Sequence, residues 1–255
     1  MLNIKNYSRP SSLGEAWDLK QRPGAKLASG MMWTRLTGGT IANLIDLQDL
    51  KLRYIEENEE RFIFGSMTTL RDLETNEGFY NYTCGASEEA LKHIVGVQFR
   101  NLATVGGSIC GKFGFSDVIS LLLPLDTTLT FYKAGDISLN DFLDSKPFSD
   151  ILLSVTVKKE DIKVRYCSLR KNFTDFPVIT LCTVLDKEGL IRTSSGSRPA
   201  KALLKVFNRE GKSNSEMAEL IAGSYTTGSN SRGSAEYRSH LLKVFAERSL
   251  DSLEG

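Results

Sequence analysis

Short apolar runs alternate with polar turns over the first fifty residues, and this pattern predicts a small α/β unit. A hydroxyl residue before an apolar run can cap a helix, and alternating apolar and polar positions indicate half-buried strands. The predicted order is strand, helix, strand, loop and strand, at Leu2 to Tyr7, Ser11 or Ser12 to Leu19, Lys26 to Ala28, Gly38 to Thr40 and Leu44 to Leu47.

The middle of the chain mixes strands with short capped helices. Strands are expected on both sides of the polar turn Glu56 to Glu60, and again near Leu129 to Tyr132 and Ile151 to Val157. Helices are expected to begin at Thr68 or Thr69, at Ser87 and at Asp117, and a Gly-rich turn at Gly106-Gly107.

The last third changes character. Three apolar runs predict an antiparallel meander with a hairpin turn at Asp186 to Gly189, and two helices follow, near Ser215 to Ala222 and Ser234 to Leu250. A run of strands followed by helices is typical of an α+β fold. We therefore expect subdomains over residues 1–53 and 54–159 and a C-terminal α+β domain over residues 160–255.

Composition and charge narrow the classes of protein. Lys plus Arg total 32 against 31 Asp plus Glu, so a nucleic-acid binder, which usually carries a basic excess, is disfavoured. No window reaches the ~18 apolar residues of a membrane helix, and the N-terminus has no apolar signal segment, so we expect a cytoplasmic protein without a membrane anchor. Four scattered cysteines and two histidines predict no metal centre in this chain.

The strongest local signal is Thr104-Val105-Gly106-Gly107-Ser108, in which two adjacent glycines are flanked by hydroxyl residues. Glycines let backbone N–H groups approach an anion without a Cβ in the way, and hydroxyls can add hydrogen bonds. This arrangement suits a diphosphate-binding loop. A tight turn that happens to contain Gly-Gly is the structural alternative.

Three further features carry candidate chemistry. Leu27-Ala28-Ser29-Gly30-Met31-Met32-Trp33-Thr34 follows a short strand and can open a helix, where backbone N–H groups favour a phosphate. Asp117 is either a helix cap or a carboxylate that accepts hydrogen bonds from sugar or ribityl hydroxyls. Gly106, Gly111 and Lys112 fit the start of a Walker A loop, but Phe113 stands where a Ser or Thr must hold Mg²⁺.

These features occur together, in order and over nearly the whole chain. The chain resembles the FAD-binding subunit, or flavin domain, of the molybdenum-containing hydroxylases, such as xanthine dehydrogenase and carbon monoxide dehydrogenase. Four family patterns are matched, by Ala28 to Met32 (A-G-G-T-D, loosely), Phe64 to Leu70 (I-G-A-x-x-T…L), Phe99 to Ile109 (I-R-N-x-A-T-I-G-G-N-I) and Ser234 to Leu250 (S-A-E-Y-R-x-x-L…V-x-x-R-A-L).

The resemblance implies a two-lobed fold of the vanillyl-alcohol-oxidase/PCMH type, in which two α/β subdomains clasp FAD, and a C-terminal α+β domain. It implies that Leu27 to Thr34 and Thr104 to Ser108 grip the diphosphate from two sides, that Asp117 binds FAD hydroxyls and that Leu152 packs near the flavin. In two places the chain departs from the family: Ser29 and Met31 replace a glycine and a hydroxyl residue, and Tyr166 to Ser168 lacks the lysine of some relatives.

The resemblance also implies a function. The motifs contain no convincing catalytic acid, base or nucleophile, which suits a protein that positions a redox cofactor. We expect FAD to relay electrons from a [2Fe–2S] partner subunit to an acceptor such as NAD, with substrate hydroxylation on a separate molybdopterin subunit. The alternatives are a docking subunit that has lost FAD, a free-standing flavin oxidoreductase of the same fold and a P-loop NTPase.

Overall fold

A computed structural model describes residues 1–146 and 149–254 of the 255-residue chain. The described strands form three sheets, of three, five and four strands, which follow one another along the sequence. Within the described residues 1–146 and 149–254, no helix has both the length and the apolar character that crossing a membrane requires.

The first sheet is parallel, with β3 in the centre between β1 and β2. The side chain of Ser12 accepts the backbone N–H of Glu15, so the predicted cap is confirmed. Gly39 pairs with Leu2 in the sheet, so the prediction that Gly39 and Thr40 lie in a loop is wrong. The elements are β1 (Leu2–Ser8), α1 (Leu13–Lys20), β2 (Ala25–Ala28), a 3-10 helix (Thr34–Leu36), β3 (Gly39–Asp46) and a 3-10 helix (Gln48–Leu50).

The second sheet is antiparallel, in the order β4-β5-β8-β6-β7, and its buried face includes Phe62, Phe64 and Val155. The strand predicted before the turn Glu56 to Glu60 lies later than expected: β4 begins at Ile55 and runs into the predicted turn as far as Glu57. The Leu52 and Tyr54 carbonyls before it accept hydrogen bonds from Met67 and Gly65 outside the sheet ladder. The elements are β4 (Ile55–Glu57), β5 (Arg61–Gly65), α2 (Leu70–Glu74), α3 (Glu77–Tyr82), α4 (Ala86–Leu91), α5 (Val97–Arg100), α6 (Val105–Cys110), α7 (Asp117–Leu122), β6 (Thr127–Phe131), β7 (Gly135–Ser138), α8 (Leu139–Asp144) and β8 (Leu152–Lys158).

The third sheet is an antiparallel meander with cores on both faces. We call the first sheet with its helices the first lobe, and the second sheet with its helices the second lobe. Ile179 and Leu181 pack with the last two helices of the chain, whereas Tyr166 and Cys182 join the core of the second lobe. The meander and its hairpin turn were predicted, but the edge strand β12 was missed. The elements are β9 (Ile162–Arg170), β10 (Pro177–Asp186), β11 (Leu190–Ser195), β12 (Leu203–Asn208), α9 (Asn214–Gly223) and α10 (Ala235–Glu254).

One buried arginine of α10 organises the loop before that helix. Arg238 is 1 % exposed, although the mixed charge of the helix predicts a solvated face. Its guanidinium donates to the carbonyls of Val178, Gly228 and Gly233 and to the side chain of Asn230. The arginine of the terminal motif thus satisfies carbonyls that the polar loop does not pair by itself.

The first two lobes share a small core. Ile151, which immediately precedes β8 of the second sheet, is fully buried together with Ala16, Ile45 and Leu47 of the first lobe. Each sheet falls within one of the three predicted ranges, but the division at residues 53 and 159 stays a prediction.

Candidate cofactor-binding crevice

A cleft of about 690 Å³ separates the first lobe from α6 of the second lobe; we call it the main crevice. The loop after β2 forms its first wall, and the start of α6 forms its second wall. Eleven of the predicted site residues line it, namely Leu27, Ser29, Met31, Met32, Trp33, Thr34, Thr104, Gly106, Gly107, Ser108 and Leu152. Two segments 75 residues apart in sequence, represented by Ser29 and Thr104, are thereby brought into contact.

The second wall is the first turn of a helix. Thr104 is the N-cap of α6, and its Oγ1 accepts the backbone N–H of Gly107 at 3.1 Å. The prediction of a Gly-rich turn at Gly106-Gly107 is therefore wrong, since both glycines lie inside α6. The Thr104 cap stabilises the first turn of α6, because it satisfies a backbone N–H that has no partner within the helix.

Gly106 and Gly107 each lack room for a side chain, but for different steric reasons. A Cβ on Gly106 would stand 2.6 Å from the carbonyl oxygen of Ser66, so Gly106 lets α6 pack against the strand side of the second lobe. A Cβ on Gly107 would stand 3.1 Å from both the Ser29 carbonyl oxygen and Thr104 Oγ1. Gly107 therefore keeps open the gap between the walls.

The first wall is a strained turn. Gly30 and Met31 are consecutive left-handed residues, with φ of +70° and +58°, and left-handed backbone is uncommon for a residue with a side chain. Ser29 itself stays outside that region, and its Oγ lies 2.5 Å from Thr104 Oγ1 in a hydrogen bond. The residue that replaces a family glycine thus ties the first wall to the second.

The other predicted residues face elsewhere. Ala28 and Val105 are buried in the cores of their lobes. Gly30 turns toward the backbone of Leu102, whose carbonyl oxygen would stand 2.1 Å from a Cβ on Gly30. Asp117 lines a neighbouring cavity.

Three lysines add positive charge to the main crevice, and none was among the predicted site residues. Lys20, Lys26 and Lys112 line it together with the carboxylate of Asp150. Burial lowers the pKa of Lys20, and Asp150 opposes this effect. Lys112 is far from Lys20 and Lys26 in sequence, so only the folded chain brings the three charges to one place.

Lys112 argues against the Walker A interpretation. Its Nζ donates to the carbonyl and hydroxyl oxygens of Ser145 at 3.2 and 3.1 Å and lies 4.1 Å from the centre of the Phe142 ring. In a P-loop this side chain would reach freely for phosphates from the end of the loop. Here it secures the end of α8, and Gly106 lies within a helix.

A smaller cavity of about 210 Å³ adjoins the main crevice; we call it the aromatic chamber. The Trp33 ring stacks on Phe176 with ring centres 5.5 Å apart, and Phe115 lies 4.3 Å from Phe176. Both cavities are lined by Trp33, Ser108 and Phe113, so they meet at these residues. All three parts of the chain contribute to this chamber, which suits a flat aromatic ligand.

Asp117 is the buried anion of the aromatic chamber. Its Oδ1 accepts hydrogen bonds from Tyr166 Oη at 2.7 Å and from Arg170 Nη2 at 2.6 Å. Burial raises the pKa of Asp117, and the positive charge of Arg170 opposes that effect. The helix-cap interpretation is wrong, because Ser116 is the residue whose side chain caps α7. The carboxylate instead ties α7 to the third sheet.

The first two lobes enclose the two-walled crevice, and the third sheet follows them in the sequence. Residues 2–158 match the model of the family described as "FAD binding domain in molybdopterin dehydrogenase". The chain belongs to this family, and FAD is its cofactor.

Several known proteins are similar to this chain in sequence or in structure. A chain of carbon monoxide dehydrogenase from Hydrogenophaga pseudoflava superposes with a TM-score of 0.86 at 21% identity, over 100% of this chain and 98% of that one. YgfM of Escherichia coli K12 is 24% identical over 94% of this chain and 93% of its own. The FAD subunit of nicotinate dehydrogenase from Eubacterium barkeri is 29% identical over 41% of this chain and 36% of its own.

The residues present fit this cofactor. The gap above Gly107, which a Cβ would narrow, offers close backbone approach to a diphosphate, and the lysines supply opposite charge. The aromatic chamber offers flat apolar surfaces for a ring. The individual FAD contacts, from Leu27 to Leu152, stay predictions.

Proposed function

We propose that this chain is the FAD-carrying electron-transfer subunit of a multi-subunit molybdenum hydroxylase. In the proposed complex a [2Fe–2S] subunit supplies electrons, a molybdopterin subunit hydroxylates the substrate, and an acceptor such as NAD receives the electrons. FAD supplies the redox chemistry when bound. The observation that carries the proposal is the main crevice itself, in which Gly107 of the second wall faces Ser29 of the first wall in a chain that belongs to this family.

The chain's own residues would bind and orient the cofactor. Backbone N–H groups of the first wall beside Ser29 would hold the diphosphate, Gly107 would let it approach the second wall closely, and Lys20 and Lys26 would balance its charge. The N–H groups of Gly106 and Gly107 already donate to the Ser66 carbonyl and to Thr104 Oγ1. Trp33 and Phe176 would pack against a ring that enters the aromatic chamber. Asp117, already fixed by Arg170, would accept hydrogen bonds from ribityl or sugar hydroxyls.

The cysteines support a division of labour between subunits. All four are free thiols; Cys84 and Cys110 are exposed, and Cys182 is buried in the core. One [2Fe–2S] cluster needs about four thiolate ligands, so the two clusters of the family need about eight. The cluster ligands must therefore come from another chain if the complex has the family's composition.

A glycine variant tests the crevice. Gly107→Val should lower FAD affinity by about 100-fold, because the added side chain fills the gap between the walls. The matched control is Gly223→Val, at the end of α9, where a Cβ would meet nothing within 4 Å. FAD binding is measured by quenching of flavin fluorescence, and urea unfolding of both apoproteins reports the fold. Unchanged affinity in Gly107→Val would count against this crevice.

The subunit role needs a second experiment. The tagged chain, purified from its native cells, should carry stoichiometric FAD together with molybdenum and iron, measured by elemental analysis. Reduction of the flavin absorbance by NADH would support NAD as the acceptor. A yellow protein that contains neither metal and turns over a small substrate alone would favour the free-standing oxidoreductase.

A further inference from the structure

Ser66, directly after β5, is a buried residue in the main crevice that none of the predicted roles includes. It is 3 % exposed and lines the crevice beside Gly106. Its backbone groups are both used, since its N–H donates to the Leu153 carbonyl and its carbonyl accepts the Gly106 N–H, each at 2.9 Å. The Ser66 hydroxyl, in contrast, has no hydrogen-bond partner among the described residues.

An orphaned hydroxyl calls for a physical explanation, because a buried polar group without a partner costs free energy. Alanine would fill the same backbone position without that cost, and alanine stands at this place in the family pattern I-G-A-x-x-T. Ser66 is also held against the second wall, because its carbonyl anchors Gly106 in the first turn of α6. The hydroxyl is thus fixed next to the residues proposed to hold the diphosphate.

Other buried hydroxyls without a partner lie outside the cavities. Ser87, at the start of α4, is fully buried, and its Oγ has no partner among the described residues. It belongs to neither the main crevice nor the aromatic chamber. An orphaned hydroxyl alone is therefore no evidence of a ligand; the position of Ser66 in the crevice makes the difference.

We propose that the Ser66 hydroxyl donates a hydrogen bond to a phosphate oxygen of FAD. The inference rests on the proposed placement of FAD in the main crevice. A hydroxyl that donates to an anionic oxygen forms a charge-assisted bond, which is stronger than a neutral one. Ser66 is then a binding residue that compensates for the hydroxyl missing at Met31 in the first wall.

The test compares Ser66→Ala with Ser87→Ala. In Ser66→Ala, the Kd for FAD should rise about tenfold, which corresponds to about 1.4 kcal/mol. The Kd for ADP should rise by the same factor, because ADP carries the diphosphate without the flavin. The melting temperature of the apoprotein should stay the same or rise, since an unpaired polar group is removed. Ser87→Ala should leave both Kd values unchanged.

The outcomes separate this inference from the proposed function. If Gly107→Val loses FAD but Ser66→Ala binds FAD and ADP like the wild type, the role of Ser66 is wrong and the crevice stands. If Ser66→Ala weakens FAD but not ADP, its hydroxyl does not contact the diphosphate, and the inference also fails. If the wild-type apoprotein takes up no FAD, the placement of the cofactor falls first.

Discussion

The two walls of the main crevice, which we propose hold the same diphosphate, have different backbones. The second wall is a helix turn closed by the Thr104 cap, with glycines in ordinary helical conformation. The first wall is an irregular turn with two successive left-handed residues, Gly30 and Met31. The second wall matches the family pattern closely, and the first wall matches it loosely.

This difference indicates which features of each wall can change between relatives and which cannot. In the second wall, close neighbours leave little room for a side chain at Gly106 or at Gly107, so each position favours glycine for its own steric reason. In the first wall the backbone path matters, and Ser29 and Met31 can replace family residues as long as that path survives. The strain of Met31, of the order of 1 kcal/mol or more for a non-glycine residue, is the visible cost of this freedom.

The largest expected effect comes from forcing the first wall away from the second. Gly30→Ala adds a left-handed alanine and a Cβ within 2.1 Å of the Leu102 carbonyl oxygen, so it should cost about 4 kcal/mol of unfolding free energy. Gly38→Ala, at φ of +67° with nothing within 4 Å, carries the strain alone and should cost about 1 kcal/mol. Urea unfolding measures both; equal losses would contradict the close approach of the walls.

The support behind the second wall should be the next most sensitive feature. Asp117→Asn leaves Arg170 buried without its charge partner and should cost about 3 kcal/mol, whereas removing the real cap with Ser116→Ala should cost about 1 kcal/mol. FAD affinity should also fall in Asp117→Asn. The two variants are compared by urea unfolding and flavin titration. If Ser116→Ala proved as costly as Asp117→Asn, the anchoring role of the ion pair would be refuted.

A smaller effect should come from the hydrogen bond that joins the walls. Thr104→Val removes both the cap of α6 and the bond to Ser29, and should cost about 1.5 kcal/mol. Ser29→Ala removes only the bond and should cost about 0.5 kcal/mol. The double variant should lose less unfolding free energy than the sum of the losses in the two single variants. Strict additivity would mean that the walls are not coupled at this contact.

The smallest effect is a pH dependence at the aromatic chamber. Burial lowers the pKa of His93 below its ordinary value of 6.5, against the opposing effect of Glu89. The folded protein therefore binds this proton more weakly than the unfolded chain, and stability present above pH 6.5 is lost as the pH falls below it. His93→Gln should flatten this dependence in urea unfolding between pH 7.5 and 5. His240→Gln, which removes the exposed histidine of α10, is the control.

Much of the fold followed from local patterns. The alternation in Leu2 to Tyr7, the Ser12 cap and the hairpin turn at Asp186 to Gly189 each predicted an element that the structure contains. Local patterns failed where distant residues decide. Gly106-Gly107 has the composition of a turn, yet the Thr104 cap and the contact with Ser66 draw both glycines into a helix.

The candidate site divides in the same way. The Gly-Gly motif and the first loop were predicted from sequence, and their meeting in one crevice agrees with that prediction. Lys20, Lys26, Ser66 and the aromatic chamber were missed, because they converge only through tertiary structure. For Asp117, position along the helix indicated a cap, and only the folded chain reveals Arg170 as its partner.

The burial of Ile151 among Ala16, Ile45 and Leu47 has a consequence for taking the molecule apart. The small parallel sheet acquires its last apolar side chain about a hundred residues after its own strands end. A fragment that ends after the first lobe would expose these apolar side chains to water. The two lobes therefore form a single cooperative unit and should not be exchanged separately between relatives.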